Sequence, residues 1–216
     1  MIQNVIFDLD GTLLDTKEGI FESIAYAAGV LGYPQLSEQQ LMTCLGPPIQ
    51  QSFITHYGCD AAEAQRAAEV FRDYYKSGAL LKARPYRGIF SLCKRLKANG
   101  IRMAVATYKR EDYALKLLRH FGFDRYCDPM HGGDTDNRLT KSDIVRLCQT
   151  EMGTDAAHSV LVGDTRHDAL GAQQAGTPFL AVTYGFGFHT AADAGEFPHI
   201  GIAAKPADIA DILLNL

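Results

Sequence analysis

In residues 2–12, IQNVIFDLDGT, a short apolar run ends abruptly at two acidic residues, and this change marks the end of the first structural element. The run up to Phe7 is rich in β-branched residues, which is typical of a buried strand. Asp8 and Asp10 follow it, and Gly11 favours a turn. We therefore predict that the chain begins with a buried strand whose carboxyl end carries two carboxylates.

After residue 85 the chain alternates short apolar runs with segments of helical periodicity. Strands are predicted at 101–106, 127–131, 159–162, 179–182 and 200–203, with helices between them. This alternation favours parallel pairing of the strands through right-handed crossovers. The predicted fold class is therefore α/β, with a doubly wound, Rossmann-like parallel sheet.

The segment between the first strand and this alternating region has apolar residues at helical spacing only. Ser37, followed three residues later by Gln40, forms the pattern of a helix-capping box. We predict an α/β core formed by residues 1–15 and 83–216. A smaller all-helical cap domain, residues 16–82, is inserted after the first strand.

Composition and charge limit the class of protein and partner. The chain has 216 residues, 47% of them hydrophobic, and a formal net charge of −4. These values are ordinary for a globular protein and give no electrostatic reason to expect nucleic acid or a membrane as partner. The five cysteines include no C-x-x-C pair, which favours a reducing, cytoplasmic location. We expect a monomer or a homodimer.

Polar side chains follow the later predicted strands as well. Thr107 and Tyr108 follow the second strand, Lys141 begins the helix after the third, and Asp164 and Asp168 follow the fourth. In open parallel sheets ligands bind beyond the carboxyl ends of the strands. We therefore expect these side chains to lie together with the two acidic residues that follow the first strand.

Each of these residues also has an ordinary structural interpretation. The aspartates and Thr107 could serve in turns or cap helices, and Lys141 could be a solvated lysine. The predicted fold, however, brings the four aspartates together, and clustered carboxylates repel one another unless a cation offsets their charge. Mg²⁺ prefers oxygen ligands and commonly shares its site with phosphate. The sequence therefore predicts a magnesium site.

The stretch 8–16, DLDGTLLDT, resembles the first motif of the haloacid-dehalogenase superfamily. Thr107 resembles the second motif, Lys141 the third, and the stretch 163–168, GDTRHD, the fourth. Tyr108 departs from the Ser or Asn that more often follows the threonine. The resemblance implies a Mg²⁺-dependent phosphomonoester phosphatase, similar to phosphoglycolate phosphatases and 5′-nucleotidases, which acts on a small phosphate ester.

The same resemblance implies the roles of the acidic residues. Asp8 would be the nucleophile that forms an aspartyl phosphate, and Asp10 would protonate the leaving group and then activate water. The metal would be held by Asp8, the main-chain carbonyl of Asp10, and Asp164. The presence of Asp10 favours phosphate esters, since the resemblance implies that dehalogenases and phosphonate hydrolases lack this second aspartate.

The remaining motif residues would bind phosphate or orient other groups. Thr107 and Lys141 would hold the non-bridging oxygens, and Tyr108 would contribute its backbone amide. Asp168 would orient Lys141 or a metal-bound water. Cationic residues at the rim, Lys109 among them, could receive a carboxylate of the substrate.

Two other functions stay open at this point. One is a sugar phosphomutase similar to β-phosphoglucomutase, although residues 18–65 contain no Lys or Arg to bind a second phosphate. The other is a phosphoaspartate switch of the receiver type, which the helical insertion and Asp10 disfavour. The mutase would release little free phosphate, and the switch would turn over only once.

Overall fold

The computed structural model describes residues 2–135 and 138–216. The chain divides into two compact units, one formed by Met1–Asp15 with Pro85–Leu216 and the other by Thr16–Arg84. Within the described residues, every helix is too short or too polar to cross a lipid bilayer.

The first unit is built on a six-stranded parallel sheet with the order β5-β4-β1-β6-β7-β8. Its strands are β1 (Asn4–Phe7), β4 (Arg102–Arg110), β5 (Cys127–Gly133), β6 (Ser159–Gly163), β7 (Phe179–Val182) and β8 (Gly201–Ala203). The strand order reverses on either side of β1, so the two halves of the sheet diverge there. Such a reversal opens the crevice in which ligands bind in this architecture. The predicted doubly wound α/β fold is confirmed.

Helices lie between the strands of this sheet, and the last helix follows the final strand, β8. They are α5 (Ile89–Ala98), α6 (Glu111–Phe121), α7 (Lys141–Met152), α8 (Arg166–Ala175), α9 (Ala191–Gly195) and α10 (Pro206–Leu213). The apolar faces of α7 and α8 pack on the sheet around Ile6 and Leu161, both fully buried. This packing holds the start of each of the two helices beside the carboxyl end of β1.

The second unit contains α1 (Lys17–Leu31), α2 (Glu38–Met42), α3 (Ile49–Tyr57) and α4 (Ala61–Ser77). The predicted capping box is confirmed, since the Ser37 hydroxyl accepts from the backbone of Gln40 while the Gln40 side chain accepts from the backbone of Ser37. The stacked rings of Tyr26 and Tyr74, 4.1 Å apart, join α1 to α4. These contacts make the helical unit a packed body of its own.

The strands differ most from the sequence prediction in two places. The prediction ended the second core strand at residue 106, but β4 continues to Arg110 through an irregularity in its pairing with β5. A two-stranded sheet of β2 (Leu14–Asp15) and β3 (Arg84–Pro85) was not predicted. Both features depend on pairing with distant residues, which local periodicity does not report.

All five cysteines are buried and form no disulfide. Cys148 packs in the core and donates to the carbonyl of Val105. Burial raises the pKa of Cys148, like that of Cys93, to about 12. These thiols therefore serve as small apolar side chains rather than as nucleophiles.

Candidate active site

The register of three strands brings the predicted residues to one edge of the sheet. Phe7 pairs with Val105 of β4 and with Val162 of β6. Asp8 is the residue directly after β1, while Thr107 and Asp164 lie two residues beyond the positions that pair with Phe7. All three side chains are buried. The candidate site therefore lies at the point where the strand order reverses.

Lys141 lies at the first position of α7 and is buried, so the interpretation of this residue as a solvated lysine is wrong. Its ammonium is 2.5 Å from Asp8 Oδ1 and 2.6 Å from Asp168 Oδ1. Gly171 of α8 leaves room for the lysine stem, because a Cβ there would lie 2.5 Å from Lys141 Cγ. Burial lowers the pKa of Lys141, but Asp168 and Asp8 outweigh it and raise the pKa above its ordinary value.

Asp168 both caps a helix, as its structural interpretation predicted, and contacts Lys141, as its functional interpretation predicted. Its Oδ2 accepts from the Thr165 backbone and hydroxyl at 3.0 and 2.6 Å, which completes a capping box at the start of α8. Its Oδ1 faces the Lys141 ammonium. Both oxygens are thus engaged by protein groups, and the helix cap fixes the carboxylate that holds the lysine.

Asp164 is held by the loop that follows β7. Its Oδ2 accepts from the backbone amides of Phe186 and Gly187 at 2.7 and 3.2 Å, and its Oδ1 accepts from the Thr12 hydroxyl at 3.2 Å. The carbonyl of Asp164 accepts from the amide of Phe188 at 2.7 Å. This loop carries alternating glycines and aromatic residues, a pattern that by itself is equally consistent with simple packing. Sequence reasoning therefore did not predict its role.

Three buried carboxylates, those of Asp8, Asp164 and Asp168, bring one oxygen each within 4.8 Å of the others. Burial raises the pKa of Asp8 to about 7, with Lys141 opposing the shift and Asp168 adding to it. Burial also raises the pKa of Asp164 well above its ordinary value, and repulsion from Asp168 and Asp8 adds to this shift. With all three carboxylates ionised, the single positive charge of Lys141 would leave two negative charges in excess, and the repulsion between the carboxylates adds to burial in raising the pKa values of Asp8 and Asp164.

This donor set fits a hard divalent cation. The donors are carboxylate oxygens, which suit Mg²⁺, Ca²⁺ or Mn²⁺ rather than a metal that prefers sulfur or imidazole. A charge of +2 would balance the two excess negative charges, and it would favour the ionised form of each aspartate. The structure thus places, at the predicted edge of the sheet, a cluster of carboxylates that could hold a divalent cation.

Comparison with known proteins assigns the chain to a family. The model of the haloacid dehalogenase-like hydrolases matches residues 5–182. The chain belongs to this family. It is 37% identical to a 5′-nucleotidase of Pseudomonas aeruginosa over 85% of this chain and 84% of that protein. It is 31% identical to a phosphoglycolate phosphatase of Agrobacterium fabrum over 84% of this chain and 80% of that protein. A solved haloacid dehalogenase-like hydrolase of Streptococcus pneumoniae is similar with a TM-score of 0.91 and 27% identity, over 98% of each chain.

In the present chain, Thr107 and Tyr108 are part of β4 rather than of a following loop. The Thr107 hydroxyl accepts from the backbone amide of Lys109 at 3.2 Å, and the helix after β4 has Arg110 as its N-cap residue. The cap interpretation of Thr107 is therefore wrong. The Tyr108 ring is exposed and packs edge-on against His167 with centroids 5.9 Å apart.

Asp10 is the one predicted acidic residue whose carboxylate lies outside the cluster of three. Its Oδ2 is 2.9 Å from the ammonium of Lys109. Only 7% of the Lys109 side chain is exposed, so the prediction of a cation at the rim is wrong for this residue. The sequence indicates that Lys109 lies near the site, because this lysine comes two residues after Thr107. The direction of its side chain, however, depends on the irregular end of β4.

We expect Gly185→Ala to destabilise the folded hydrolase by about 1–3 kcal/mol. A Cβ at Gly185 would lie 2.4 Å from Asp164 Oδ2 and 2.4 Å from the carbonyl of Gly11, so the loop or the carboxylate must move. Urea denaturation in metal-free buffer measures the effect. Gly195→Ala is the matched control, since a Cβ there meets no atom within 4 Å. Equal free energies of unfolding for the two variants would contradict the close packing of the loop on Asp164.

Proposed function

We propose that this hydrolase is a Mg²⁺-dependent phosphomonoester phosphatase that forms an aspartyl phosphate on Asp8. The observation that carries the proposal is the position of Asp8, a buried carboxylate at the end of the central strand β1. The Lys141 ammonium lies on one of its oxygens and two further carboxylates lie beside it. A carboxylate nucleophile in contact with cationic groups is suited to attack an anionic ester.

In the proposed first step, an Asp8 oxygen attacks phosphorus and the bond from phosphorus to the alcohol oxygen breaks. Lys141 and the Thr107 hydroxyl bind the non-bridging oxygens, with the backbone amide of Tyr108 beside them. Mg²⁺, held by Asp8, the Asp10 main-chain carbonyl and Asp164, would reduce the repulsion between the nucleophile and the phosphate. Asp168 keeps Lys141 in place, since one of its oxygens binds the ammonium and the other caps α8.

Asp10 moves the proton in both proposed steps. It first gives a proton to the leaving alcohol oxygen as that oxygen departs from phosphorus. It then takes a proton from the water that attacks the aspartyl phosphate, which frees Asp8 and returns Asp10 to its starting form. The proton balance therefore closes over one turnover.

The substrate we propose is a small phosphate ester, with 2-phosphoglycolate and nucleoside 5′-monophosphates as the leading classes. The two curated relatives named for these activities support this choice. We propose the helical unit as the cap that selects the substrate. Residues 18–65 contain no Lys or Arg, so this part of the unit suits an ester with one phosphate better than a sugar bisphosphate.

Phosphate release over a panel of substrates tests this function. The panel contains 2-phosphoglycolate, nucleoside 5′-monophosphates, hexose phosphates and pyrophosphate, each with Mg²⁺ and with excess EDTA. We expect release from one of the two leading classes and its loss with EDTA. Absence of release from every ester would contradict the proposal. Conversion of a sugar 1-phosphate to its 6-phosphate with little free phosphate would identify the mutase instead.

A further inference from the structure

The contact between Lys109 and Asp10 is a nearly buried ion pair beside the cluster of three aspartates. The two charged atoms are 2.9 Å apart, and the exposed fractions of the side chains are 7% for Lys109 and 21% for Asp10. At this burial a lysine is held by its neighbours rather than by water. The ammonium therefore has a fixed position with respect to the Asp10 carboxylate.

The backbone around Lys109 fixes that position further. β4 continues past Ala106 with a shift in its pairing to β5, which places Lys109 on the strand rather than on α6. Gly132 and Gly133 of β5 allow this close approach, since a Cβ would lie 2.5 Å from the Lys109 carbonyl at the first and 2.8 Å from the Tyr108 carbonyl at the second. The Thr107 hydroxyl accepts from the Lys109 amide. The backbone of Lys109 is thus held by its close approach to β5 and by the hydroxyl of Thr107 on the same strand.

An ammonium group is a donor only, with no lone pair that can accept a proton. An Asp10 oxygen in contact with Lys109 is therefore the accepting oxygen of that carboxyl group, whether Asp10 is ionised or protonated. The proton that Asp10 exchanges must then be carried on Oδ1, because Oδ2 faces the ammonium. Contact with Lys109 also restricts rotation of the carboxyl group, so Oδ1 keeps one orientation throughout turnover.

We propose that Lys109 is a positioning residue for Asp10, which holds Oδ2 and so directs Oδ1 to the oxygen that gains or loses the proton. This inference rests on the proposed function, because it assigns a partner to the group that transfers the proton. It replaces the expectation that Lys109 binds a carboxylate of the substrate.

The test compares Lys109→Met, which keeps the length of the stem, with Lys109→Arg, which keeps a charged donor. Rapid mixing measures release of the alcohol in the first turnover from two esters, p-nitrophenyl phosphate and the alkyl phosphate that turns over best. Alkoxide needs a proton to leave, whereas p-nitrophenolate does not. We expect Lys109→Met to slow the first turnover of the alkyl ester by about 10–100-fold and that of the nitrophenyl ester by less than about 3-fold. Lys109→Arg should recover part of the loss.

Three results would overturn the inference. An equal loss with both esters would indicate a structural role or direct binding of phosphate. A raised KM confined to esters that carry a carboxylate would return Lys109 to the role of substrate receptor. Wild-type rates of the Lys109→Met variant on both esters would show that the contact between Lys109 and Asp10 has no role in turnover.

Two controls separate this inference from the proposed function. Lys116→Met, an exposed lysine of α6, should keep wild-type rates on both esters. Asp8→Asn should be inactive on both. If Asp8→Asn retains turnover, the proposed function fails; if it is inactive while Lys109→Met behaves as wild type, only the role of Lys109 fails.

Discussion

Asp8→Asn is expected to lower the rate of phosphate release by at least about 10³-fold. An amide in place of the carboxylate removes the nucleophile while leaving the volume of the side chain almost unchanged. The neighbouring carboxylates are not available as substitutes. Asp164 is held by the amides of Phe186 and Gly187, and Asp168 by Lys141 and Thr165. Steady-state release of phosphate from the best substrate of the panel measures the effect.

Asp124→Asn is the matched control for this variant, because Asp124 is an exposed aspartate that belongs to none of the four motifs. It should retain wild-type turnover. Circular dichroism and thermal unfolding of Asp8→Asn should show a folded protein, so that the loss reports on chemistry. Turnover of Asp8→Asn within about 10-fold of wild type would contradict the assignment of the nucleophile.

The second large effect is on stability. Lys141→Met is expected to lower the free energy of unfolding by about 3–5 kcal/mol, because it leaves two buried carboxylates without their ammonium. Asp8 and Asp168 each lie within 2.6 Å of that ammonium, and the three side chains are almost completely buried. Urea denaturation in buffer with EDTA measures the change without any contribution from a bound cation.

Lys116→Met serves again as the control and should change the free energy of unfolding by less than about 0.5 kcal/mol, since Lys116 is exposed. A Lys141→Met variant as stable as wild type would show that the packing of methionine replaces the contribution of the buried charge pair. That outcome would contradict the account of Lys141 as the counter-charge of the acidic cluster.

Much of the site could be predicted because its residues follow strands or begin helices. Asp8 comes directly after an apolar strand, Lys141 after the N-cap residue Thr140, and Asp164 after β6. Local periodicity locates such boundaries, and the parallel arrangement then brings the ends of the strands together. The structural and functional interpretations were not exclusive for Asp168, which both caps α8 and binds Lys141.

The features that sequence reasoning missed depend on contacts between distant segments. The contact of Lys109 with Asp10 requires β4 to continue through an irregular pairing with β5, and this pairing depends on the two glycines of β5. The role of Gly185 appears only when its loop lies against Asp164, 21 residues earlier in the chain. In both places a glycine is needed because another segment approaches the backbone too closely to leave room for a side chain. A single sequence does not reveal which segment makes that approach.

Trapping the phosphorylated enzyme shows whether the phosphoryl group is transferred to Asp8. Enzyme in excess over substrate labelled with ³²P is mixed rapidly, quenched in acid at millisecond times, digested and analysed by mass spectrometry. We predict transient label on the peptide that contains Asp8, removable by hydroxylamine as expected of an acyl phosphate, and no label in Asp8→Asn. Label on another residue, or label found only in free phosphate at every time while substrate is consumed, would contradict the account.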